Sequence, residues 1–179
     1  QAGNDVHGGV HRYLRYGKGV PAERVGHIAQ SDLALSGEVV NAGLAFTDAD
    51  CVPASENWLQ KMQDGYDENI EIVLGYGAYH KLPGLLNKLI RFETFHSAMQ
   101  YFSFALAGLP YMGVGRNLSY KKEVFFRHKG FSSINHIPSG DDDLFNNKVA
   151  TAKNTAVIID PGAVTRSVPK TTWSGWLKQ

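Results

Sequence analysis

From Leu44 onward, short apolar runs alternate with stretches of helical spacing, and this alternation restricts the chain to a layered α/β structure. Leu44-Ala45-Phe46 has the form of a buried strand, ending in Thr47-Asp48-Ala49-Asp50. Ser55 is the expected N-cap of a helix running to about Gly65, with Trp58, Leu59 and Met62 on one face. Ile70 to Tyr76 reads as a strand, and Leu85 to Leu106 as a helix with Leu85, Leu86, Leu89, Ile90, Phe92, Phe95 and Met99 as its apolar positions. A short helix over 121–128 and a second from Asp141 to about Ala152 follow. Val157 to Ile159 and Ala163 to Ser167 are expected strands, and Thr172 opens a last helix. Residues 1–43 are rich in Gly and His and lack a sustained period, so they read as a separate segment ahead of a domain over 44–179.

The 179 residues, 43% hydrophobic and 20% charged, suit one soluble globular domain. Eighteen Lys and Arg nearly balance 17 Asp and Glu, so a net charge of +1 gives no basis for binding nucleic acid. The single cysteine, Cys51, can form no internal disulfide, and no Cys/His cluster has zinc spacing; both fit a reducing compartment. The N-terminus lacks the basic-then-apolar form of a signal peptide. The longest stretch without Asp, Glu, Lys or Arg, Thr94 to Gly115, is interrupted by His96, Gln100 and Pro110. It does not read as a membrane span, but it is compatible with a segment lying on a bilayer or a partner.

Four groups of residues could carry chemistry. Asp48 and Asp50, two apart after a strand, can converge on one hard cation such as Mg²⁺ or Mn²⁺; the plain alternative is an acidic loop. Asp141-Asp142-Asp143 could supply a general base, or could simply open a helix. Gly113-Val114-Gly115-Arg116-Asn117 could admit a ligand close to backbone, or form a turn entering a strand. It is not a dinucleotide fingerprint, because the third glycine is missing. Trp173 and Trp176 could stack on a sugar or base, or belong to the core.

In their order and spacing these pieces resemble the family 2 glycosyltransferases with the GT-A fold. The resemblance runs over roughly residues 44–179, through Phe46 to Pro53, Gly113 to Tyr120, Gly140-Asp141-Asp142-Asp143-Leu144 and Thr172-Trp173. It implies a Rossmann-like mixed sheet flanked by helices, incomplete at the N-terminal nucleotide-binding strand, since residues 1–43 hold no match to it. It implies further that Asp48 and Asp50 are the DxD pair contacting metal and nucleotide diphosphate, and that Gly113, Gly115 and Asn117 line the donor pocket. Aligning the family's Glu-Asp-x-Asp-Leu puts the base on Asp141, with Asp142 the alternative register. Trp173, Trp176 and Gln179, the last matching the start of Gln-x-x-Arg-Trp, fall on the acceptor side.

The implied reaction is inverting transfer from a nucleotide-diphosphate sugar, UDP-linked by expectation, to a carbohydrate or lipid-linked hydroxyl. The implied location is cytoplasmic, at the inner face of a membrane. Two other readings compete. Asp48 could be the nucleophile of a phosphatase resembling the haloacid dehalogenase group, or the chain could be a non-catalytic module binding sugar or protein.

Overall fold

A computed structural model describes residues 13–15, 28–31, 43–48, 50–128 and 141–178; of residues 13–15, 28–31, 125, 141 and 142 only the backbone belongs to this set. The architecture is mixed α/β, with helices packed on a large sheet and a smaller sheet beside it. The large sheet has six strands: β1 (Tyr13–Arg15), β2 (Ile28–Ser31), β3 (Gly43–Phe46), β5 (Ile72–Leu74), β7 (Leu118–Lys121) and β8 (Thr155–Val157), in the order β1-β2-β3-β7-β5-β8. The β1–β2 and β5–β8 pairs are parallel and the others antiparallel. The small sheet is β4 (Cys51–Pro53), β9 (Thr165–Ser167) and β6 (Gly77–Tyr79), in the order β4-β9-β6. The helices are α1 (Trp58–Gln63), α2 (Leu85–Leu106), α3 (Lys122–Arg127), α4 (Asp141–Val149) and α5 (Trp173–Leu177).

Alternation along the three central strands feeds two cores. Leu44, Phe46, Ile72, Leu74, Leu118 and Tyr120 form one face, packed with Ala98, Tyr101 and Ala105 of α2 and Phe145 and Val149 of α4. The intervening Ala45 and Val73 face Trp58 and Met62 of α1. Both faces are covered, which is why β3 and β5 read as apolar runs, whereas β7 alternates Ser119 and Lys121 with its apolar residues. Tyr120 joins the layers, with its ring edge-on to Phe46 at 5.4 Å and to Phe145 at 4.9 Å.

Three expectations change. First, Ser55 does not cap α1; its hydroxyl donates to the Gly162 carbonyl at 2.9 Å, and Asn57 holds the N-cap position without a side-chain bond. Second, residues 1–43 contribute β1 and β2 to the large sheet, strands of three and four residues that are too short for a period to register. Third, α2 has its expected limits, but of its expected apolar positions Ile90 is buried while several others are not. Leu85, Phe92 and Phe95 are 73%, 64% and 55% exposed, while Ala98, Tyr101 and Ala105 are buried. Small alanines let the helix approach the sheet, and the Tyr101 hydroxyl reaches the Gly75 carbonyl at 2.9 Å. Buried Asn87 fixes the entry to α2, accepting from Leu82 N–H at 2.8 Å and donating to His80 O at 3.0 Å. No helix among the described residues is long and apolar enough to cross a membrane.

At Gly75 the backbone lies close against a buried side chain. A Cβ there would lie 2.6 Å from Cγ and Nδ2 of Asn117, a fully buried side chain. Because Asn117 cannot retreat, Gly75→Ala is expected to cost about 1–3 kcal/mol. Urea unfolding checks this, and an unchanged midpoint would show that the contact yields freely.

Candidate active site

β3 ends at Phe46, and the chain then turns tightly, Cys51 N–H donating to Asp48 O at 3.0 Å, before entering β4 of the other sheet. Asp48 and Asp50 therefore stand where the chain crosses from the large sheet to the small one. One carboxylate oxygen from each and the Cys51 sulfur lie within 4.8 Å of one another. Oxygens on a shared Mg²⁺ or Mn²⁺, each bonded at roughly 2.0–2.2 Å, stand no more than roughly 4.4 Å apart, so the pair fits a hard cation after a small adjustment. Cys51 is buried, and burial followed by the Asp48 charge pushes its thiol pKa up. Hard cations prefer oxygen to sulfur, which leaves the carboxylate oxygens as the donors.

The small sheet carries this acidic turn to a cleft. Cys51 pairs with Ser167, and Ser167 with Tyr79, so the three form one row across β4, β9 and β6. Two strand spacings separate the ends of that row by about 10 Å. Beyond Tyr79 lies a cavity of about 420 Å³ between the small sheet and α2, lined by Tyr76, Glu93, Ser97, Arg116 and Trp176 among others.

The Gly113–Asn117 segment reaches this cavity through Val114 and Arg116. Gly113 is buried instead against Leu74 and Leu118, where a Cβ would lie 3.0 Å from each side chain, and Gly115 is buried as well. Asn117 is fully buried. Its Oδ1 accepts from Trp58 Nε1 at 3.1 Å, and its Nδ2 donates to Tyr76 O at 2.9 Å and Ala163 O at 2.6 Å. With both amide protons in use, Asn117 clamps β7, the start of β6 and the turn before β9 together, and so fixes where Arg116 lies.

At the chain's end, Trp176 lines the cavity, and Trp173, half exposed, meets it edge-on at 5.9 Å. Thr172 caps α5, its hydroxyl accepting from Gly175 N–H at 3.1 Å. Gln179 and Gly140 lie outside the described residues, as do the side chains of Asp141 and Asp142, although the backbone of Asp141 to Asp143 forms the first turn of α4. The Tyr101 hydroxyl ties that turn to the cavity: burial raises its pKa, Arg116 opposes, and Tyr76 and Asp143 raise it further. The start of α4 is thus within electrostatic reach of a cavity-lining residue.

Sequence reasoning missed Tyr76, Tyr79, Glu93 and Ser97, and included Arg116 only as part of the Gly113–Asn117 segment. The available signal was Gly75-Tyr76-Gly77-Ala78-Tyr79, where aromatic residues alternate with small ones and backbone can approach backbone.

No family model matches the chain, and no curated relative matches it in sequence. Among solved structures it is similar to a mannosyltransferase from Pyrobaculum calidifontis, determined in complex with GDP-Man and Mn²⁺. Sequence identity is 20% and the TM-score 0.49, over 75% of this chain and 34% of that one. The chain therefore spans about a third of that structure's length.

Proposed function

We propose that residues 44–179 carry the catalytic site of an inverting, metal-dependent glycosyltransferase of family 2 type, using a nucleotide-diphosphate sugar. The observation that carries this reading is the convergence of Asp48 and Asp50 within 4.8 Å at the crossing between the sheets, about two strands from a cleft with an aromatic wall. Asp48 and Asp50 would hold Mg²⁺ or Mn²⁺, which when bound supplies the positive charge that steadies a departing diphosphate. Val114 and Trp176 border the space for the sugars, and Asn117 keeps that border rigid from behind. Asp141 takes the proton from the acceptor hydroxyl as it attacks the anomeric carbon from the face opposite the leaving group. Asp142 has this role if the register is shifted by one residue.

Calorimetric titration with UDP and GDP tests the reading, first with Mn²⁺ and then with chelator. Wild-type protein should bind one nucleotide only with metal, and Asp48→Asn/Asp50→Asn should weaken that binding by about 100-fold or more, given the several kcal/mol a metal–phosphate contact supplies. Equal binding with and without metal would remove the acidic pair from the donor site.

A further inference from the structure

The cleft beyond Tyr79 has a charge pattern that the donor site does not use. Arg116 lines the 420 Å³ cavity with its guanidinium carbon 4.6 Å from the centre of the Tyr79 ring. Its Nη1 is buried without a hydrogen-bond partner, and among the described residues no ion pair involves Arg116. On the far side of the shared Tyr76 and Tyr79 wall lies a second depression of about 670 Å³. It is lined by His80, Lys81, Arg91 and Arg166 and by no carboxylate. The charges of Arg116 and Arg91 both reach the Tyr76 hydroxyl, where they oppose the upward push of burial on its pKa. Against these cations the two depressions present one acid, Glu93.

A partly buried guanidinium held by an aromatic ring, with no direct ion pair among the described residues, is costly unless a ligand supplies oxygens. Its planar fork of N–H donors matches a phosphate better than a neutral sugar hydroxyl. We propose that this cleft binds a phosphate group through Arg116, separate from the donor diphosphate, and that the acceptor of the reaction is a phosphate-bearing molecule. The acceptor role rests on the transferase reading; the anion site stands without it. The two anion sites differ in kind, since Asp48 and Asp50 repel a phosphate unless a cation intervenes, whereas Arg116 attracts one directly. The phosphate could belong to a soluble sugar phosphate or to a lipid headgroup. Phe95, half exposed, borders the second depression and offers apolar surface beside the cations.

The test is titration with inorganic pyrophosphate in chelator at fixed ionic strength. Wild-type protein should bind it without metal, and Arg116→Gln should weaken binding roughly 10- to 100-fold. Arg116→Lys, which keeps the charge but loses the fork, should lie between them, with unchanged thermal unfolding of both variants confirming that each is folded. Asp48→Asn/Asp50→Asn should bind pyrophosphate in chelator as wild type does, even though it loses metal-dependent nucleotide, so either site can fail alone. Absence of metal-free binding, or equal binding by Arg116→Gln, overturns the proposal. Co-sedimentation with phosphatidylcholine vesicles, with and without phosphatidic acid, then distinguishes the sources. Arg116-dependent retention on phosphatidic acid assigns a lipid headgroup, and binding of glucose 1-phosphate without such retention assigns a soluble ligand.

Discussion

Asp141→Asn should lower turnover roughly 10²- to 10⁴-fold, the usual worth of a positioned general base. The amide is nearly isosteric and cannot take a proton, so the loss should fall on kcat, with nucleotide binding unchanged. The assay is release of nucleoside diphosphate from a panel of UDP- and GDP-sugars, with binding measured in parallel. Asp142→Asn is the control: a larger loss there would move the base by one residue. Wild-type turnover by both variants with donor binding intact would show that the start of α4 supplies no base. The backbone of Asp141 to Asp143 forms the first turn of α4, so the two substitutions probe adjacent positions of one turn.

Trp58→Ala should destabilise the fold by about 3–5 kcal/mol, as expected for emptying a buried aromatic site. Trp58 is only 2% exposed and forms the centre of the smaller core with Ala45, Met62, Val73 and Ala163. The substitution also leaves Asn117 Oδ1 without its indole donor at 3.1 Å, which adds about 1–3 kcal/mol of unpaired polar burial. Against a total stability of about 5–15 kcal/mol, such a loss approaches global unfolding. Trp58→Phe separates the two contributions, keeping most of the apolar volume while removing the hydrogen bond. Urea denaturation should therefore rank wild type, Phe and Ala in descending midpoint. If Phe unfolds at the wild-type midpoint, the Trp58–Asn117 bond contributes nothing net. Because Asn117 precedes β7 and follows Arg116, the Phe variant should also weaken pyrophosphate binding, through position and not through contact.

Several local elements were legible in the sequence, although the three- and four-residue strands β1, β2, β4 and β6 were not. Apolar runs marked β3 and β5, and spacing gave α2 its limits at Leu85 and Leu106. Asp48 and Asp50 were visible as carboxylates at a strand end, and their convergence is a consequence of that local turn. These features depend on residues near one another along the chain, where periodicity and turn chemistry act. Tertiary structure alone decided which face of α2 is buried, since that helix is apolar on several sides and only the contacts of Ala98, Tyr101 and Ala105 with the sheet select one. It also decided that Asn117 turns inward while its neighbour Arg116 lines a cavity. The partners that fix Asn117, Trp58 and Tyr76, lie 59 and 41 residues away, and no local pattern specifies pairings at such separations. The sequence determined those local elements and the acidic turn; long-range packing determined the cleft, because a cavity is bounded by surfaces that meet only when the sheets and α2 have come together.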